Sequence, residues 1–163
     1  MIKYIFIPNY SNNFRKNVIQ ILNLSQSWGG VLGIKFKFSQ NKNIIDYNIF
    51  LKSNDFIIDK FGDVFNNLSV AEKGGKNIYI NSSNWNNTPI LSKLSDKDYK
   101  IYVINHEMGH ILGLDHPNIS DRFDLMKCPV MVQQTLGKKL FHMEPNPFPL
   151  KEEINLVKKI NNF

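Results

Sequence analysis

Residues 106–116 read HExxHxxGxxH, and no other stretch of the chain narrows what it can fold into as far. His106 and His110 stand four residues apart, so on a helix both imidazoles project from one face and reach a single metal ion. Glu107 sits one step round the helix, placed to hold a water at that metal. Gly113 lets the chain leave the helix sharply, in a conformation that costs glycine little. The reversal brings His116 back as a third ligand. Three protein ligands leave one position open for water, which is the arrangement of a catalytic zinc rather than a structural one.

Three of the four histidines of the chain fall inside these eleven residues. A bare HExxH is only suggestive, and a lone helical histidine is most often a satisfied core or surface residue. Five fixed positions, three of them a rare residue type, arise by accident roughly once in 10⁵ chains of this size or less. Zinc held by His106, His110 and His116 lowers the pKa of bound water from about 16 towards about 7. Glu107 is then the general base that takes the proton and passes it to a leaving amine. The residues therefore point to zinc-dependent peptide hydrolysis.

HExxHxxGxxH followed by a methionine-containing tight turn is similar to the signature of the metzincin clan of zinc endopeptidases. The second part of that signature appears here as Cys128-Pro129-Val130-Met131, fifteen residues after His116. The resemblance implies that Met131 forms a hydrophobic floor beneath the ligands without coordinating the metal. The stretches Leu94 to Tyr99, Val103 to Glu107, Pro129 to Thr135 (PVMVQQT) and Pro145 to Pro149 resemble a small metzincin-like family known mainly from actinobacteria. That likeness covers most of the second half and reaches the first half only by pattern. It implies that Val132, Gln133, Gln134 and Thr135 line a primed-side substrate pocket, and that a peptide or protein substrate lies extended along an edge strand. No tyrosine follows Met131, and neither glycine-aspartate calcium repeats nor paired cysteines are present, so the chain departs from serralysins and, in its cysteines, from the actinobacterial family it resembles.

At 163 residues there is room for one core, residues 1–163. The resemblance implies an upper part to about residue 113 and a lower part from about 114. The expected fold is α+β: a mixed, mostly parallel sheet with an edge strand, a zinc helix, a Met-turn and a C-terminal helix. Strands are read at Ile2–Pro8, Ile34–Ser39, Tyr47–Lys52 and Lys76–Asn81, the edge strand falling between Leu68 and Ile80. A helix is read from Asn12 to about Leu24, capped by Asn12 or Asn13, with its opening strand–helix–strand implying a parallel pair. Trp28-Gly29-Gly30 reads as a turn and 81–89 as a polar, mobile loop. Asp96 is the expected cap of the zinc helix, on which Tyr99 and Tyr102 pack against the sheet. The last helix runs from about Leu150 to Ile160, with Glu152 and Glu153 suiting its dipole and Ile154, Val157 and Ile160 on one face.

The net charge of +6 comes from scattered lysines. No basic helix, Lys/Arg block or aromatic stacking pattern accompanies it, so nucleic acid is not an expected partner. No apolar run approaches a membrane span. The N-terminal apolar patch is too brief for a signal peptide and reads as the first strand. A single cysteine, Cys128, excludes an internal disulfide, weakly favours an intracellular setting and reads as a buried structural thiol. His142 reads as a loop residue, Asp115 as a solvated carboxylate and Pro117 as a stiffener. A monomer is expected. The alternative function is a catalytically silent, zinc-stabilised peptide- or protein-binding domain, against which an intact Glu107 argues.

Overall fold

The computed structural model describes residues 1–8 and 12–163. Its centre is a five-stranded sheet in the order β2-β1-β3-β5-β4, formed by β1 (Ile2–Phe6), β2 (Lys35–Phe38), β3 (Tyr47–Lys52), β4 (Val70–Ala71) and β5 (Asn77–Asn81). β1 pairs in parallel with β2 and β3, and β3 with β5, so that Ile49 lies beside Ile78 and Leu51 beside Ile80. Only β4 runs antiparallel, on the free side of β5. The edge strand therefore lies where it was expected, and is two residues long.

One face of the sheet carries the core. Ile5, Ile7, Phe36, Ile49, Ile78 and Ile80 are all buried there, together with Phe14, Val18 and Leu22 of α1 (Asn12–Leu22) and Val103 and Ile104 of the long helix α5 (Asp96–Ile111). Helix α1 starts at Asn12 and Asn13 stands inside it; the side chain of Asn12, and with it the expected cap, is outside what the structure describes. On the opposite face Phe50, Tyr79 and Phe61 pack ring on ring beneath α3 (Asn54–Phe61), which Ser53 caps.

Three local expectations change. Trp28-Gly29-Gly30 does not turn but opens the short helix α2 (Trp28–Leu32), because the fully buried Trp28 ring seats it under α5 and donates its indole N–H to the Asn105 carbonyl at 2.8 Å. The 81–89 stretch contains α4 (Ser82–Asn86), capped by Asn81 and pinned by the buried side chains of Asn84 and Trp85. Ser95, not Asp96, caps α5, its hydroxyl accepting the Asp98 N–H at 3.1 Å, while Asp96 and Asp98 sit in the first turn where acids suit the dipole.

Beyond Gly113 the chain holds little regular structure until α6 (Lys151–Asn161). A small second core of Cys128, Val132 and Met143 fills this part, closed by a bridge between Lys127 and Glu144. In α6, Val157 is buried and Ile154 half-buried, whereas Ile160 is 47% exposed, so the apolar face is narrower than its spacing suggests.

Candidate metal centre

Helix α5 ends at the site. The Leu114 N–H returns to the Gly109 carbonyl at 2.9 Å, and Gly113 takes φ 104°, a left-handed-side conformation that a Cβ would strain. The reversal carries His116 back over the helix. His116 Nε2 then lies 3.3 Å from His106 Nε2 and 3.2 Å from His110 Nε2. Ligands about 2.05 Å from a tetrahedral zinc stand about 3.3 Å from one another, so the spacing fits that ion.

Proton positions agree with the spacing. His106 Nδ1 lies 2.8 Å from the Val130 carbonyl and His110 Nδ1 lies 2.7 Å from the Leu114 carbonyl. A carbonyl only accepts, so each Nδ1 carries the proton and each Nε2 offers a lone pair to the common point. Burial, and next the charge of His110, hold the His106 imidazole down to about 3, and burial also lowers His110 and His116. All three are thus neutral, the form that ligates. Burial pushes the Glu107 carboxyl up to about 8. A cation beside it acts in the opposite sense and favours the carboxylate.

Met131 is buried beneath the same helix. A Cβ at Gly109 would fall on the Met131 sulfur and also meet the Trp28 ring, so the helix and the turn touch where the glycine leaves room. The turn is held from two sides. Glu153 accepts the N–H groups of Val130 and Met131, each at 3.0 Å, and that of Leu150 at 2.9 Å. The Tyr102 hydroxyl donates to the Val132 carbonyl at 3.0 Å and accepts from the Gln134 N–H at 2.9 Å. Tyr99 meets Thr135 Oγ1 at 3.0 Å. Both tyrosine hydroxyls therefore face the segment after Met131 rather than the sheet.

A cleft of about 280 Å³ separates β4 from the histidines; Val70, Ala71 and Lys73 wall one side, Glu107, His110 and His116 the other, and Gln133 reaches its end. A second cleft of about 450 Å³ runs from His116 along Val132 and Gln133 to Lys138 and Leu140. Gln134 and Thr135 line neither: Gln134 is buried, donating to and accepting from Asn146, and Thr135 is occupied by Tyr99. A cavity of about 530 Å³ lies behind the His116 loop against α6 and touches neither Glu107 nor His110. Asp115 is exposed and paired with Lys73 at 2.7 Å. Cys128 is fully buried, and His142 stacks on Phe123 away from the ligands, with ring centroids 5.6 Å apart.

The local sequence marks neither Gly109 nor the hydroxyl of Tyr102 as part of the site, and marks Glu153 only as suited to a helix N-terminus. A glycine inside a helix costs about 1 kcal/mol against alanine, and that cost was the available signal for Gly109. Glu153 and Tyr102 act on residues more than twenty positions away, and nothing local marks those contacts.

A family model described as "Protein of unknown function (DUF3152)" matches residues 9–156. A search of curated proteins found no match. Among solved structures, archaemetzincin from Methanopyrus kandleri is 15% identical, with a TM-score of 0.59 over 100% of this chain and 96% of that one. Archaemetzincin from Archaeoglobus fulgidus, complexed with malonate, is also 15% identical, with a TM-score of 0.53 over 95% and 99%. Myroilysin, at 15% identity and a TM-score of 0.46, is matched over 71% of this chain, which spans 49% of its length. The two archaemetzincins show a metzincin-like fold.

Proposed function

The chain belongs to the family described as DUF3152, proteins of unknown function, and from that premise we propose that it is a zinc-dependent endopeptidase. One observation carries this reading: His116 Nε2 stands at zinc spacing from both His106 Nε2 and His110 Nε2, in a cleft whose wall includes the buried carboxyl of Glu107. His106, His110 and His116 are the ligands, and a zinc ion held there supplies positive charge that acidifies a coordinated water and polarises a carbonyl. Glu107 takes the proton from the attacking water at its carboxylate and delivers it to the nitrogen of the departing amine. The burial that raises the Glu107 pKa also strengthens that exchange once a peptide excludes solvent. The extended substrate adds to the free side of β4, while Val132 and Gln133 meet its side chains beyond the cleaved bond. Met131 supports the ligands from below. The likeness of PVMVQQT to the actinobacterial group is part of the same proposal, with a peptide or protein as substrate.

The test compares the parent with Glu107→Ala by metal analysis and by cleavage of a broad peptide library. The parent should carry about one zinc per chain, and each of His106→Ala, His110→Ala and His116→Ala should lose it. Glu107→Ala should keep the zinc and the fold while hydrolysis falls on the order of 10² or more. A fully zinc-loaded parent that cleaves no peptide would leave a zinc-stabilised binding domain in place of an enzyme.

A further inference from the structure

Glu153 and His106 sit on opposite ends of one peptide group. Glu153 Oε2 accepts the Met131 N–H at 3.0 Å, and the carbonyl of the same Val130–Met131 peptide accepts the His106 Nδ1–H at 2.8 Å. Glu153 is 7% exposed, and among the described residues no Lys, Arg or His side chain pairs with it. Its negative charge therefore falls on backbone N–H groups. A charge at the N–H end of a peptide drives electron density towards the carbonyl end and makes that oxygen a stronger acceptor. A stronger acceptor at Nδ1 makes the imidazole more basic at Nε2, as a carboxylate does when it touches a metal-ligating histidine directly.

His110 provides an internal comparison. Its Nδ1–H goes to the Leu114 carbonyl at 2.7 Å, but the N–H of that peptide belongs to Asp115 and meets no carboxylate among the described residues. We propose that Glu153 is a positioning residue acting on His106 through the Val130–Met131 peptide, a carboxylate–peptide–histidine relay that makes His106 a stronger zinc donor than His110. The proposal rests on the zinc reading above.

The experiment follows the imidazole Nδ1–H protons of the zinc-loaded full chain by NMR, with zinc affinity measured by chelator competition. In the parent, the His106 proton should resonate downfield of the His110 proton, despite the slightly shorter His110 contact. In Glu153→Gln the His106 proton should move upfield and the His110 proton stay, with zinc affinity lower by about 10- to 100-fold. Glu153→Asp, which keeps the charge, should restore part of both. Equal shifts of the two protons in Glu153→Gln would mark a merely loosened turn and overturn the relay. So would an unmoved His106 proton in a folded Glu153→Gln chain. Should neither variant fold, the parent decides: a His106 proton level with or upfield of His110 overturns it. A parent that takes up no zinc refutes the metal reading before any variant is made, and the relay with it.

Discussion

At Gly109 the absence of one methyl group lets a methionine lie under α5. Gly109→Ala should place that methyl in the space of the Met131 sulfur and cost about 1–3 kcal/mol, the usual range for overpacking. Met131→Leu should cost less than about 1.5 kcal/mol, being nearly volume-conserving. The two sites share one space, so Gly109→Ala combined with Met131→Val should be more stable than the two separate losses predict, as read from urea midpoints. Strict additivity would mean that helix and turn do not press on each other. Cys128 makes a second residue-scale prediction. Burial pushes its thiol up to about 12, with the Glu153 charge as a smaller cause. The folded chain thus holds this proton while the unfolded chain releases it. Stability from this group is intact below the ordinary thiol value near 9 and falls as pH rises from there towards 12. Cys128→Ser should show a shallower alkaline loss in pH-dependent denaturation, and the parent should resist alkylation until unfolded.

The elements differ in how far local sequence announces them. Strand β3 and helices α5 and α6 carry their own periodicity, and all three lie within a residue or so of where spacing puts them. The short elements carry none. Two residues of β4 cannot show alternation, and α2 holds two glycines, which locally favour a turn. What makes α2 a helix is the distant anchor of Trp28, whose indole reaches a carbonyl 77 positions along the chain. Trp28→Phe should leave that contact unmade and cost about 1–3 kcal/mol in chemical denaturation. A neutral outcome would locate the cause of α2 elsewhere. The candidate site divides in the same way. The grouping of His106, Glu107, His110 and His116 was legible because a helix and one sharp reversal bring them together within eleven residues. The supports of the Met-turn were not, because Glu153 reads locally as a residue suited to a helix N-terminus, and only the packing of α6 turns it inward.

Taken whole, the chain has a sheet-based part held by regular hydrogen bonds and a second part, beyond Gly113, in which buried side chains add to turns, one bridge and α6. Zinc would join them, since His106 and His110 stand on α5 and His116 on the loop that follows. Zinc at a hundred times its dissociation constant should add about 2.7 kcal/mol to unfolding, and a chelator should lower Tm correspondingly. An unchanged Tm would deny that linkage. In the second part, backbone groups that would ordinarily pair in a ladder are met instead by Glu153, Tyr102, Gln134 and Asn146, all of them buried. The amides of Val130, Met131, Gln134 and Asn146 are in this way sealed from water without belonging to any strand or α-helix. In deuterium they should exchange over hours, on the slow clock of the central sheet rather than the fast one of a loop.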